Sequence, residues 1–301
     1  MLTSIHFLLT YACNFACDHC FLFSGPGAGG TFGVVALRAA LAQAAEIGTI
    51  DEVFFEGGEP MLYFPLLAEG LRAAKRAGFR TGIVTNAYWA TSREDAVVWL
   101  RALQEAGLDS LTLSDDALHY GDTAGVHATR VQAAARELGM PADVICKQRP
   151  TVEGAGGPGE RVTVTGGIKF RGRAALKLAP GLPTRMWEEL STCPFENLGE
   201  PQRVHADCFG TMHLCQGLSM GNYRESCMRS VVEGYDPAGH PVAGPLLAGG
   251  PAELARRHGL PHDERYVDEC HMCFQMRLAL RDRFPGVLGP AQVYGELPTG
   301  S

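Results

Sequence analysis

The sequence predicts an α/β protein, with a parallel sheet covered by helices over residues 1–178 and a smaller cysteine-rich extension over 179–301. Three observations predict this. Apolar, strand-like runs recur at 5–9, 52–55, 81–85, 110–113, 142–146 and 161–164. Ala-, Leu- and Arg-rich segments with helical periodicity lie between them, at 33–47, 64–77, 92–106 and 123–138. The alternation stops at the Pro- and Gly-containing run 178–183, after which cysteines reappear.

Taken in order, the first strand runs into Cys13, Cys17 and Cys20, whose spacing lets one tight loop aim three thiolates at a single point. Three is one short of the four that an iron–sulfur cluster usually takes, and a missing protein ligand leaves a metal open to substrate. The glycine-rich run from Gly25 to Gly30 links no strand directly to a helix, so it reads as a flexible part of this loop rather than a dinucleotide fingerprint. The second strand ends in Gly57, Gly58, Glu59 and Pro60. Two glycines let backbone approach a ligand closely, and a carboxylate there can accept from an ammonium. Thr91 to Glu94 resembles a capping box opening the third helix. Asn86 closes the third strand and Ser114, Asp115 and Asp116 close the fourth, with His119 and Tyr120 just beyond. Capping of the following helix is the competing role for Asp115 and Asp116. In the fifth strand Cys146 reads as a small packed hydrophobe, and Lys147 and Arg149 supply cations that suit a carboxylate or a solvated loop. The glycine-rich run 153–159 reads as a mobile linker before the sixth strand.

The three-cysteine loop and the Gly-Gly-Glu-Pro turn, each after a strand, resemble the two signatures of the radical S-adenosylmethionine (SAM) superfamily. That resemblance implies a partial (β/α)6 barrel with its ligands at the C-terminal strand ends. It also implies a [4Fe–4S] cluster on Cys13, Cys17 and Cys20 whose open iron chelates SAM, and a turn, Gly57 to Pro60, that binds the SAM amino group. His19 stands where the family usually has an aromatic residue near the adenine, a departure that keeps a flat ring. By the same resemblance Asn86 and Ser114 hydrogen-bond the SAM ribose or carboxylate, and Asp115 and His119 face substrate.

The C-terminal third carries Cys193, Cys208, Cys215, Cys227, Cys270 and Cys273. The stretch from Val204 to Gly217, with Gly210 ahead of Cys215, resembles the hairpin of SPASM and twitch extensions, which hold auxiliary [4Fe–4S] clusters. Carried over, the auxiliary ligands are Cys193, Cys215, Cys270 and Cys273, with Cys208 or Cys227 as alternatives to Cys193. Structural zinc on the same thiolates is the competing reading. The leftover thiols, Cys208 and Cys227, are candidates to donate a hydrogen atom to a substrate radical. The run Phe170 to Ala175, which contains Gly172, Arg173 and Ala174, resembles a Gly-Arg-Ala motif found after the last barrel strand of SPASM-type proteins and reads as structural.

Composition bounds the function. Apolar residues are 46%, charged residues 20% and the net charge is -7 without a basic run, which excludes nucleic acid as an expected partner. No run approaches the roughly 20 apolar residues of a membrane span. Ten cysteines without a recognisable export signal point to metal ligands and to the cytoplasm. The resemblance implies reductive cleavage of SAM to a 5′-deoxyadenosyl radical that abstracts a hydrogen atom from substrate, driven by a reductant such as flavodoxin or ferredoxin. Modification of a ribosomal peptide or protein by crosslinking, epimerisation or oxidation is the leading expectation. A small metabolite or cofactor precursor is the alternative substrate. A zinc-binding, non-catalytic protein is the reading from another class.

Overall fold

The computed structural model describes residues 1–153 and 163–296. Its first half alternates strand and helix: β1 (Ser4–Thr10), α1 (Val34–Ile47), β2 (Glu52–Gly57), α2 (Phe64–Arg76), β3 (Arg80–Thr85), α3 (Arg93–Ala106), β4 (Ser110–Ser114), the short α4 (Ala117–Tyr120), α5 (Val126–Glu137) and β5 (Ala142–Ile145). Each of these strands pairs in parallel with the next. Ile5, Phe7, Val53, Phe55, Ile83 and Leu111 are buried in one core with Leu37 and Leu41 of α1, Leu67 of α2 and Leu100 of α3. Each fully buried side chain of this size stabilises the fold by about 1.5–3 kcal/mol. The cap of α3 is Ser92, which accepts from Asp95 N at 3.0 Å, so the expected capping box is shifted by one residue from Thr91 and Glu94.

Beyond β5 the chain departs from six consecutive parallel strands. β6 (Thr151–Glu153) and β7 (Thr163–Thr165) pair with each other, antiparallel and apart from the main sheet. The run 161–164 is therefore not the sixth parallel strand; its first two residues, like 154–159 of the expected linker, lie outside the described residues. β7 is exposed or half-exposed, and a partner nearby in sequence closes the smaller loop. The sixth parallel strand comes from much later. After α6 (Arg173–Lys177) and β8 (Arg185–Met186), β9 (Arg203–Asp207) pairs with β1 on the side away from β2. β10 (Thr211–Cys215) and β11 (Leu218–Asn222) continue antiparallel, giving the order β11-β10-β9-β1-β2-β3-β4-β5. The region after residue 178 thus extends the same sheet. It closes with α7 (Met228–Glu233), α8 (Ala243–His258, broken at Gly249 and Gly250), β12 (Arg265–Tyr266), which pairs with β8, and α9 (Glu269–Leu280).

β5 is the edge of the sheet, and its Val144 and Ile145 are exposed. Cys146, one residue past it, is exposed as well, so the expectation of a packed thiol there is corrected. Among the described residues no helix is long and apolar enough to cross a membrane.

Candidate functional site

The loop after β1 folds back on itself at the C-terminal end of the sheet. Tyr11 N donates to Gly30 O (2.8 Å), Cys13 N to Gly25 O (3.1 Å) and Cys20 N to Cys17 O (3.1 Å). The glycine-rich run is thus bonded into the loop, where flexibility was expected. Cys13 is buried, Cys17 and Cys20 are half-buried, and all three are free thiols. Burial pushes Cys13 up to about 11 and Cys17 up to about 12, and the nearby Cys20 adds to both. Buried thiols gathered on one loop ionise together only beside a cation, such as a metal or cluster would supply.

The turn after β2 docks on this loop. Gly58 N donates to Thr10 O at 2.7 Å and Glu59 N to Ala12 O at 2.9 Å. A Cβ on Gly58 would stand 2.0 Å from Ala12 O, and one on Gly57, whose φ is +127°, would stand 2.3 Å from Thr10 O. Only glycine lets the two backbones meet. The Glu59 carboxylate lies behind the turn, fully buried. It accepts from Met61 N (3.0 Å), Thr85 Oγ1 (2.8 Å) and Asn86 N (2.7 Å). Burial pushes its pKa up to about 7 against those three bonds. It therefore ties the turn to the end of β3, where the sequence had suggested acceptance from the SAM ammonium. Pro60, also buried, opens a single helical turn.

Asn86 reaches the cysteine loop directly. Its Nδ2 donates to Asn14 Oδ1 at 2.9 Å and lies 3.8 Å from Cys13 Sγ, while its carbonyl accepts from Tyr120 OH at 2.7 Å. Ser114 is half-buried at the end of β4. Asp115 accepts from Gly125 N (2.8 Å) and Ala128 N (2.7 Å), so both oxygens hold the start of α5 and it does not face a substrate. That corrects one expectation in favour of helix capping. Its neighbour Asp116 is the more connected group, and nothing beyond its strand-end position signalled this. Asp116 caps α4, accepts from Lys147 N at 3.0 Å and bonds His119 Nδ1 at 2.9 Å. The His119 ring meets the His19 ring edge-on at 4.8 Å. Burial, then His119, pushes His19 down to about 4. His19, Asp116 and His119 thus gather beside the cysteine loop.

A second centre forms far along the chain. Cys193, Cys215, Cys270 and Cys273 line one cavity of about 370 Å³. Cys270 and Cys273 share a face of the first turn of α9, which Asp268 caps at His271 N (2.7 Å). Two buried arginines face the same cavity, Arg171 from the segment read as structural and Arg277, which the sequence left unassigned. Arg171 Nη1 is 2.7 Å from Cys215 Sγ and 3.0 Å from Glu196 Oε1. Arg277 Nη1 is 3.9 Å from Cys215 Sγ and donates to Gln216 O at 2.9 Å. Burial opposes both guanidinium charges, yet the surrounding anionic partners, with Cys215 foremost at Arg171 and Tyr294 at Arg277, hold both pKa values above the ordinary one. No three of the cysteine sulfurs among the described residues lie within 4.8 Å of one another. A tetrahedral zinc ion, with Zn–S near 2.3 Å, holds its sulfurs only about 3.8 Å apart. The sulfurs stand wider apart than that, and the two buried guanidiniums offset the negative charge that any four-thiolate centre carries.

The segment read as structural touches both centres. Arg173 N donates to Cys20 O (2.9 Å), and its guanidinium donates to Cys17 O (2.6 Å) and Ser24 O (2.8 Å). Gly172, at φ +59°, packs where a Cβ would stand 2.5 Å from Phe21 Cα. Cys208 is buried at the end of β9 against Gly30 of the first loop, and burial pushes it up to about 12. Cys227 is not with either centre. It is the exposed N-cap residue of α7, which docks on α1 through Met228 N and Gln43 Oε1 at 3.0 Å. Lys147, Lys169 and Arg185 line a separate open cleft of about 1830 Å³ beside β7.

Residues 7–127 match the family model described as the radical SAM superfamily. The putative peptide biosynthesis protein YydG of Bacillus subtilis (strain 168) is 26% identical over 107 residues, 36% of this chain and 34% of that protein. The match thus spans about a third of the curated relative. Among solved structures, BtrN in complex with AdoMet and 2-DOIA aligns at 13% identity and a TM-score of 0.48 over 77% of this chain and 82% of that one. Native anSMEcpe with bound AdoMet aligns at 11% identity and a TM-score of 0.48 over 95% and 97%.

Proposed function

With residues 7–127 a radical SAM domain, and the chain thereby an enzyme of that superfamily with its [4Fe–4S] cluster and SAM, we propose that it modifies a peptide by hydrogen-atom abstraction. One observation carries the chemistry: the Gly57-Gly58 turn bonds onto the backbone that presents Cys13, Cys17 and Cys20. When bound, the cluster and SAM, with an external one-electron reductant, supply a carbon radical able to take hydrogen from an unactivated C–H bond.

The chain's own residues position that chemistry. Cys13, Cys17 and Cys20 hold the cluster. The Gly57-Gly58 backbone accepts the SAM ammonium, with Glu59 fixing the turn from behind. Asn86 and Ser114 serve the polar end of SAM, and the neutral ring of His19 faces the adenine. His119, oriented by Asp116, faces substrate, and Lys147 pairs with a carboxylate at the mouth. Cys193, Cys215, Cys270 and Cys273 hold an auxiliary [4Fe–4S] cluster, supported by their shared cavity and two buried guanidiniums. Cys208 is the spare thiol placed to return a hydrogen atom to a substrate carbon. Its S–H bond breaks as the C–H bond forms, and the thiyl left behind needs one electron and one proton from the reductant and water.

The peptide reading is supported by the printed name of the relative matched over part of this domain and by an open cleft large enough for an extended chain. Anaerobic reconstitution with iron and sulfide tests the proposal, followed by SAM, dithionite and candidate peptides. About eight irons per chain, 5′-deoxyadenosine and a mass change on a peptide are expected. Absence of deoxyadenosine overturns the radical reading. A mass change confined to a small metabolite overturns the peptide.

A further inference from the structure

We propose that His6, Glu56 and His205 form a divalent transition-metal site, of the two-histidine, one-carboxylate type, that clamps β9 to β1 and β2. The three residues lie outside both cysteine centres. His6 and His205 are direct neighbours on the parallel pair β1–β9. Glu56 enters from β2, whose Phe54 flanks His6 on its other side and stacks on its ring at 4.8 Å. His6 Nδ1 lies 3.2 Å from Glu56 Oε2, and His205 Nε2 lies 2.8 Å from Glu56 Oε1. One ligand atom from each residue falls within 4.8 Å of the other two. The side chains are 10–14% exposed, so an ion would be enclosed yet reachable.

Hydrogen bonding alone leaves this cluster unsatisfied. His6 Nδ1 makes no aligned hydrogen bond although Glu56 Oε2 stands 3.2 Å away, and His205 Nδ1 and Gln216 Oε1 are buried without a hydrogen-bond partner. His205 Nε2 also lies 3.4 Å from the Gln216 amide nitrogen. A ring nitrogen that donates to a carboxylate has no lone pair left to accept from an amide. Among the described residues the ion-pair partners of Glu56 are these two histidines alone. A buried anion facing two imidazoles is a donor set short of a cation. An ion such as Zn²⁺ takes imidazole nitrogen and carboxylate oxygen at about 2.0–2.2 Å, and the atoms facing one another here are His6 Nδ1, His205 Nε2 and the Glu56 carboxylate. Turning the Gln216 amide by half a rotation would offer Oε1 as a fourth ligand. Such an ion would join two strands of the radical SAM domain to one outside it.

Zinc itself is the probe. Reconstituted holoenzyme is exposed to equimolar Zn²⁺, passed over a weak chelating resin and assayed for zinc and iron by plasma mass spectrometry. One zinc per chain is expected beyond the cluster iron. His6→Phe, which keeps a ring on Phe54, and Glu56→Gln should each lower retained zinc by about tenfold or more with iron per chain unchanged. Zn²⁺ should raise the melting temperature of the wild type and leave both variants unmoved. Wild type that retains no zinc, or variants that retain as much as wild type, would mean an adventitious ion only and overturn the proposal. Should Glu56→Gln fail to fold, His6→Phe and His205→Gln carry the same test.

Discussion

Cys13, Cys17 and Cys20 fall within eight consecutive residues of one loop, whereas Cys193, Cys215, Cys270 and Cys273 come from a loop, the end of β10 and the first turn of α9. Their surroundings differ as sharply. In the first set Cys13 Sγ is touched by neutral donors, Phe15 N at 3.4 Å and the Asn86 amide at 3.8 Å, and the Arg173 guanidinium bonds the loop's carbonyls at Cys17 and Ser24. The second set faces the two buried guanidiniums of Arg171 and Arg277. The difference matches the occupants proposed for the two centres. A cluster that chelates a charged ligand at its open iron would receive counter-charge from outside the protein, whereas a closed four-thiolate cluster would bury its own negative charge for the fold to neutralise.

The largest effect should come from removing the first set. Cys13, Cys17 and Cys20 replaced together by alanine should lower iron by about four per chain and abolish deoxyadenosine formation, leaving the second centre loaded. Iron analysis with a SAM-cleavage assay checks it, and any residual deoxyadenosine would remove the distinction between the two sets. Next comes the charge contrast. Arg277→Met leaves buried thiolates without one of their cations, a loss of about 3–5 kcal/mol for a broken buried pair. The variant should lose iron from the second centre and melt earlier, with SAM binding at the first retained. Full iron and an unchanged melting curve would show that the guanidiniums are not counter-ions.

The same contrast explains what was readable in advance. Local patterns were. The loop with Cys13, Cys17 and Cys20, the Gly57-Gly58 turn, and the parallel run β1 to β5 each depend on neighbours in sequence. What depends on distant packing was not. β9 replaces 161–164 as the sixth parallel strand because a lone strand run does not reveal which edge it joins. Arg277 carried no motif and Arg171 read only as part of a structural segment, since a counter-ion is defined by what packs over it. Asp115 and Asp116 look alike in the chain, and only the fold sends one to cap α5 and the other to His119. His6, Glu56 and His205 are far apart in sequence and meet only once β9 lies beside β1.

A smaller effect is expected at Glu59, where turn geometry and titration combine. Its folded pKa is raised from 4.5 to about 7 by burial. Between those values the folded state keeps a proton that the unfolded chain has released, so stability from this group is greatest below about 4.5 and falls as pH rises towards 7, by about 3 kcal/mol. Glu59→Gln removes the titration but also one acceptor from Asn86 N, a loss of about 1–3 kcal/mol. The variant should therefore be less stable than wild type at pH 5, with the gap narrowing by pH 7.5. Denaturant melts across that range measure it. A gap that stays constant would mean the carboxyl titrates normally, and one that widens would mean it is held ionised in the fold.

The smallest change in any bulk property should come from the two thiols left over, and here the comparison becomes one of position alone. Cys208 is buried at the end of β9 against the first cysteine loop, while Cys227 is exposed at the start of α7 and lowered by its Ser230 neighbour. Neither lines the cavity that gathers Cys193, Cys215, Cys270 and Cys273. A thiol that returns a hydrogen atom to a substrate carbon must sit beside the radical, because transfer needs near contact between sulfur and carbon. Cys208→Ala should therefore keep full iron and full deoxyadenosine formation but lose or change the peptide product. Cys227→Ala should alter none of the three. Product mass spectra in deuterated water would show solvent deuterium on the substrate carbon for wild type and its loss for Cys208→Ala. Iron loss from Cys208→Ala would make that thiol a ligand, and an unchanged, deuterium-labelled product would move the hydrogen donor elsewhere.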